Sequence, residues 1–175
     1  MDGLTPEQSH ALKCACEKKD SIFITGAAGT GKSALLLRII ADLESTYSKE
    51  EVAVTAPHGN AAINIDGKTL ASAAGYGAMS KRQYITSLAF ERILANPRAV
   101  ERWIKWKVLV IDEVSTLDGD LFDTLELIAR IIRGSDAPFG GIQLVVSGDF
   151  FQLPPVGTSY TWAFEAKYMA HIQID

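Results

Sequence analysis

Only two cysteines occur in the 175 residues, Cys14 and Cys16, and they stand two apart. On a helix, residues at that spacing point in different directions, so neither a disulfide nor a metal site is expected from the pair. Two buried or half-buried thiols in a reducing compartment fit better. Histidine is scarce as well, and His10, His58 and His171 are scattered without ligand spacing. No apolar run is long enough to cross a membrane, so no membrane partner is expected. The opening Met1-Asp2-Gly3-Leu4 has none of the features of a signal or transit peptide. Internal repeats and low-complexity tracts are missing too. Neither sign of charge dominates: 17 basic against 21 acidic residues give a net charge of −4. That balance neither advertises nor excludes nucleic acid, because a local basic face would be enough.

What is present is a core. Apolar residues make up 47% of the chain, which argues against disorder and, at this length, for one domain. The stretch that organises it is Gly26-Ala27-Ala28-Gly29-Thr30-Gly31-Lys32-Ser33. It meets every fixed position of the phosphate-loop pattern G-x-x-x-x-G-K-[ST]. A short β-branched, apolar strand precedes it over residues 21–25, and a helix from Lys32 to about Tyr47 follows. Glycines let the backbone wrap a polyphosphate, whose charge meets inward N–H groups and a helix N-terminus. The set of nucleotide-binding residues expected here is Gly26, Ala27, Ala28, Gly29, Thr30, Gly31, Lys32 and Ser33. Lys32 reaches the β- and γ-phosphates, and the Ser33 hydroxyl holds Mg²⁺.

The remaining pattern alternates strands and helices. Thr5, Pro6 and Gln8 give a capping box that opens a helix carrying Ala11, Leu12, Ala15 and Cys16 on its apolar face. Strands are expected over residues 52–56, 108–111 and 143–147. Short helices are expected over 61–65 and, after a turn, through Ala74. Longer ones are expected over 84–95, 98–106 and 118–133, with a loop over 134–141 and a last helix over 161–171. Trp103 and Trp106, three apart, share a face and read as core. The basic run of Lys81, Arg82, Arg98, Arg102, Lys105 and Lys107 reads mainly as a solvated face. The fold class is therefore α/β, a mainly parallel sheet with helices on both faces.

In such folds ligands bind at the carboxyl ends of the strands. Asp112, after four apolar residues, is placed to orient Mg²⁺ opposite Ser33. Glu113 beside it is a candidate general base for an attacking water. Gln152, just after the last of these strands, carries an amide that suits a γ-phosphate or that water.

Taken together these segments resemble the Pif1-type helicases of superfamily 1, relatives of the RecD group. The resemblance rests on Leu4-Thr5-Pro6-Glu7-Gln8, the phosphate loop, Val54-Thr55-Ala56-Pro57-His58-Gly59-Asn60-Ala61-Ala62, Gly67-Lys68-Thr69-Leu70-Ala71-Ser72, Ile111-Asp112-Glu113-Val114-Ser115 and Gly148-Asp149-Phe150-Phe151-Gln152-Leu153-Pro154-Pro155-Val156. Their order and spacing match over nearly the whole chain, and the last segment is the most specific. Two departures stand out: His58 replaces a threonine common in the family, and Ala71 stands where the family carries histidine.

The resemblance implies a RecA-like P-loop domain over residues 1–175, the first of two. The second domain of the full-length protein would supply an arginine finger. It also implies an ATP-dependent DNA helicase moving 5′ to 3′ in repair, recombination or telomere maintenance, with ATP and Mg²⁺ as cofactors. Glu113, Lys32 and Gln152 would be catalytic, and Ser33 and Asp112 would hold the metal. Gln8 keeps two readings, closing the capping box or reading an adenine edge. Single-stranded DNA would run along Thr55, His58, Gly59, Asn60, Lys68, Thr69 and Ser72, with Tyr76 or Phe150 able to stack on a base. The chain alone is expected to be a monomer that binds nucleotide and hydrolyses it slowly. The compartment stays open: nucleus or mitochondrion for a eukaryotic source, cytoplasm for a bacterial one. Rival readings are an AAA-type remodeller and a nucleotide-gated binding module without turnover. A GTPase is disfavoured because no N-K-x-D motif appears.

Overall fold

A computed structural model describes residues 3–26, 29–77 and 85–149, together with 163, 166, 167, 169, 173 and 174. The capping box at Thr5 and Gln8 forms as the sequence implies and starts α1 (Pro6–Lys13). A π turn over Cys14–Lys18 prolongs it, and Lys19 ends it in a left-handed conformation. Then come β1 (Ile22–Ile24), α2 (Lys32–Thr46), β2 (Val52–Ala56), α3 (Gly59–Asn64), β3 (Lys68–Thr69), α4 (Leu70–Ala74), α5 (Ile85–Leu94), α6 (Pro97–Lys105), β4 (Val108–Ile111), α7 (Gly119–Arg133), β5 (Gln143–Ser147) and β6 (Gln173–Ile174).

All strand pairs are parallel, in the order β3-β2-β4-β5-β1-β6. Successive strand residues face opposite ways, and this parity splits the core into two layers. Ile22, Ile24, Val108, Val110 and Val145 pack under α1, α2 and α3. Phe23, Leu109, Ile111, Leu144 and Val146 pack under α4 to α7. β4 is buried along its whole length, as an unbroken apolar run requires, and β5 is buried too, including the polar Gln143 and Ser147 at its ends. Trp103 and Trp106 are core residues, with ring centroids 4.6 Å apart. The Trp103 indole N–H donates to the Ala74 carbonyl at 3.0 Å.

Several elements differ from expectation. β3 forms where a turn was expected, because the edge of β2 offers Lys68 and Thr69 a partner. The expected loop over 134–141 contains a tight turn (Pro138–Gly141), with Phe139 and Gly140 left-handed, that carries Phe139 into the core against Phe122, ring centroids 5.1 Å apart. The helix expected over 161–171 falls largely outside the described residues. Within it, Ala166 N donates to Ala163 O and Met169 N to Ala166 O, a three-residue spacing tighter than α.

Candidate nucleotide-binding site

The strand order places the ends of β1, β5 and β4 side by side. Register pairs Ile24 with Ser147 and Val146 with Ile111, so the residues that follow each strand converge on one edge. Gly148 N donates to Ile24 O at 3.2 Å. A Cβ at Gly148 would stand 3.1 Å from Ser115 N, which shows how closely the two chain segments pass.

β1 leads into the phosphate loop. Gly31 caps α2 at φ 84°, and Gly29 lies at φ 82°, conformations that side chains other than glycine rarely adopt. Lys32 donates to the Gly26 carbonyl and so closes the loop across its own mouth. Ser33 is exposed in the first turn of α2. Ala27 and Ala28 lie outside the described residues.

Gln8 works in both directions. Its Oε1 accepts from Thr5 N at 3.0 Å, and its Nε2 donates to Thr30 O at 3.2 Å. The capping box and a tie to the phosphate loop therefore use the same amide. Beside it lies a cavity of about 280 Å³, bordered by Gln8, Ala11, Ile24, Gly26, Thr30 and Leu35.

Asp112 is buried at the end of β4, and its N–H donates to Thr55 O at 2.9 Å. Glu113 follows in a left-handed conformation, φ 51° and ψ 38°. For a non-glycine residue this is a strained geometry of the kind that collects at functional sites. A 3₁₀ turn (Val114–Thr116), absent from the sequence expectation, fixes it: Thr116 N and Oγ1 both donate to the Glu113 carbonyl, at 3.0 and 2.9 Å. Burial pushes the Glu113 carboxyl above its ordinary range. Asp112 and Asp149 push the same way, and Lys32 opposes them. These four residues thus share one electrostatic neighbourhood. Asp149, buried and adjacent, was not among the expected site residues. The signal for it was the Gly148-Asp149 dipeptide after an apolar strand. Gln152 lies outside the described residues.

The expected strand path is only partly at the surface. His58, Gly59, Asn60, Lys68 and Ser72 are exposed. Thr69 is half-buried, and its hydroxyl caps α4 by accepting from Ser72 N at 3.3 Å. Thr55 requires correction. It is fully buried, and its hydroxyl donates to Val110 O at 2.6 Å, so it belongs to the sheet and offers nothing to a ligand. Tyr76 is corrected for the same reason: it is buried in the core, and burial pushes its phenol far up. Phe150, Lys81 and Arg82 lie outside the described residues. Lys105 is paired with Glu50 and Glu101, at 3.0 and 3.1 Å.

A family model described as PIF1-like helicase matches residues 3–169. The ATP-dependent DNA helicase PIF1 of Emericella nidulans is 57% identical over 163 residues, covering 92% of this chain and 21% of its own length. The ATP-dependent DNA helicase RRM3 of Saccharomyces cerevisiae is 49% identical over 153 residues, 87% of this chain and 21% of its own. The chain therefore spans about a fifth of the curated relatives it matches. Among solved structures, the Pif1 helicase from Candida albicans superposes with a TM-score of 0.87 at 44% identity, over 99% of this chain and 39% of that one. The Pif1 helicase from Bacteroides in complex with ADP-AlF3 and single-stranded DNA gives 0.74 at 29% identity, over 98% of this chain and 41% of that one.

Proposed function

Because the chain belongs to the PIF1-like helicase family, we propose that it is the ATP-binding motor domain of a DNA helicase, one of two RecA-like domains in the full-length protein. One relationship supports the chemistry: Glu113, just after β4, feels the charges of Asp112 and Asp149 and the opposing charge of Lys32 at the start of α2. A metal nucleotide suits that imbalance.

In this reading the loop amides and Lys32 hold the phosphates. The hydroxyl of Ser33 and the carboxylate of Asp112 form the hard oxygen pair that Mg²⁺ accepts, and the ion would neutralise charge on the leaving phosphates. Glu113 takes the proton of the attacking water. Its fixed backbone keeps the carboxylate in place as the reaction proceeds. Gln8 lies at the mouth of the small cavity, where its spare donor and acceptor suit an adenine edge, with Ala11, Ile24 and Leu35 beneath. Gln152 answers to the γ-phosphate. Hydrolysis would close and open the cleft between the two RecA-like domains and move a single strand 5′ to 3′ past His58, Gly59, Asn60, Lys68, Thr69 and Ser72. Such a motor would serve genome maintenance.

ATP hydrolysis by the full-length protein, measured with and without single-stranded DNA, tests this. Stimulation is the expected result, and a rate indifferent to DNA would overturn the helicase assignment. The second domain of the full-length protein is expected to supply an arginine finger, so residues 1–175 on their own should turn over ATP about 10³–10⁵ more slowly than the full-length protein. Lys32→Ala should abolish ADP binding in calorimetry.

A further inference from the structure

α4 is only five residues long, and its terminal carbonyls would ordinarily be left to water. Here side chains from the following helices bond to them. Arg102 of α6 donates through Nε to Ala73 O at 2.9 Å and through Nη2 to Ser72 O at 3.5 Å. Trp103 donates to Ala74 O, and just past the helix Arg92 of α5 donates to Tyr76 O at 3.0 Å. The helices also touch closely. Gly75 sits at φ 97°, and a Cβ there would lie 2.5 Å from Ala99 Cβ. Arg102 further lines a cleft of about 680 Å³ that includes Lys68, Ser72 and Arg98.

From this geometry we infer that Arg102 is a positioning residue for single-strand binding: by gripping the backbone at Ser72 and Ala73 it fixes where Lys68, Thr69 and Ser72 stand. Arg102 itself need not touch DNA. Its planar fork donates to two successive carbonyls, which an ammonium cannot do in the same geometry. The inference rests on the strand path proposed above.

The test uses the full-length protein and oligothymidylate-stimulated ATP hydrolysis, with Arg102→Ala and Arg102→Lys. Both variants should raise the half-saturating DNA concentration roughly tenfold, the effect expected on losing a charged hydrogen bond. KM for ATP and turnover at saturating DNA should stay at wild-type values. Trp103→Phe, which removes one donor to the same segment, should shift half-saturation in the same direction and carries the test with Arg102→Lys if the alanine variant does not fold. Wild-type behaviour in Arg102→Lys would show that charge alone matters and would overturn the positioning role. So would an unmoved half-saturation in Arg102→Ala, or a parallel loss in all three parameters. A wild-type protein without DNA stimulation would sink the motor assignment and this inference together, whereas wild-type stimulation with unmoved variants sinks this inference alone.

Discussion

Gln8 Nε2 donates to the carbonyl of Thr30 across 3.2 Å, tying the first helix of the chain to the middle of the phosphate loop. Two roles of Gln8 separate by ligand. Gln8→Ala loses exposed bonds to Thr5 and Thr30 and should cost about 1 kcal/mol, a melting point lower by about 2–4 °C. Affinity for ADP should fall about tenfold, while affinity for tripolyphosphate changes less. Calorimetry with both ligands decides: equal losses would mean that Gln8 serves the loop and not the base.

Glu113→Gln keeps the shape of the site and removes the base. Hydrolysis should fall by about 10²–10⁴, with ADP affinity retained. The acid side of the pH profile is informative as well. Burial, Asp112 and Asp149 raise the Glu113 pKa against the opposing pull of Lys32. The carboxylate is therefore lost at higher pH than usual on acidification. The acid limb of kcat/KM should lie above the ordinary carboxylate range, with activity rising as pH rises through it. Asp149→Asn removes one raising charge and should move that limb to lower pH. A limb that stays in place in Asp149→Asn would count against this electrostatic picture.

Thr55→Val keeps the volume of the side chain and deletes its buried bond to Val110 O. Stability should drop by about 1–2 kcal/mol. The half-saturating single-strand concentration of the full-length protein should not move. A selective loss of DNA affinity at unchanged melting temperature would restore Thr55 to the strand path.

The thiols should be slow to react in the folded protein. Burial pushes the Cys16 thiol up to about 11, helped by Asp42 and Glu17 and opposed by Arg38. At pH 8 only about one part in a thousand is thiolate. Cys14 is fully buried, with its sulfur 3.5 Å from His10 Nε2. A thiol reagent should therefore find both groups at once in urea and react far more slowly without it. Rapid native reaction at either site would contradict the burial described.

Much of this arrangement was legible from residue type. Val108 to Ile111 read as a strand buried on both faces because a covered parallel sheet needs a continuous apolar run, and Gln143 to Ser147 read as a further strand. The phosphate loop and the carboxylate pair were legible because their chemistry dictates both residue and spacing. Thr55 was misplaced because its role depends on register: only the pairing of β2 with β4 brings its hydroxyl to Val110 O. Lys68 and Thr69 carry no strand signal of their own, since an edge strand of two residues is defined by its neighbour. Phe139 sits beside Gly140 and Gly141, which signal a loop, yet its ring fills space against Phe122. The partners of Arg102 are main-chain carbonyls about 30 residues away, and no sequence motif records such a bond.

β1 has partners on both sides, β5 and β6, and all run parallel. A tug on the phosphate loop along the axis of β1 would strain the bonds on its two flanks in shear, all at once, instead of peeling them one after another. Force applied at that loop would then be passed to the whole sheet and not spent on one strand.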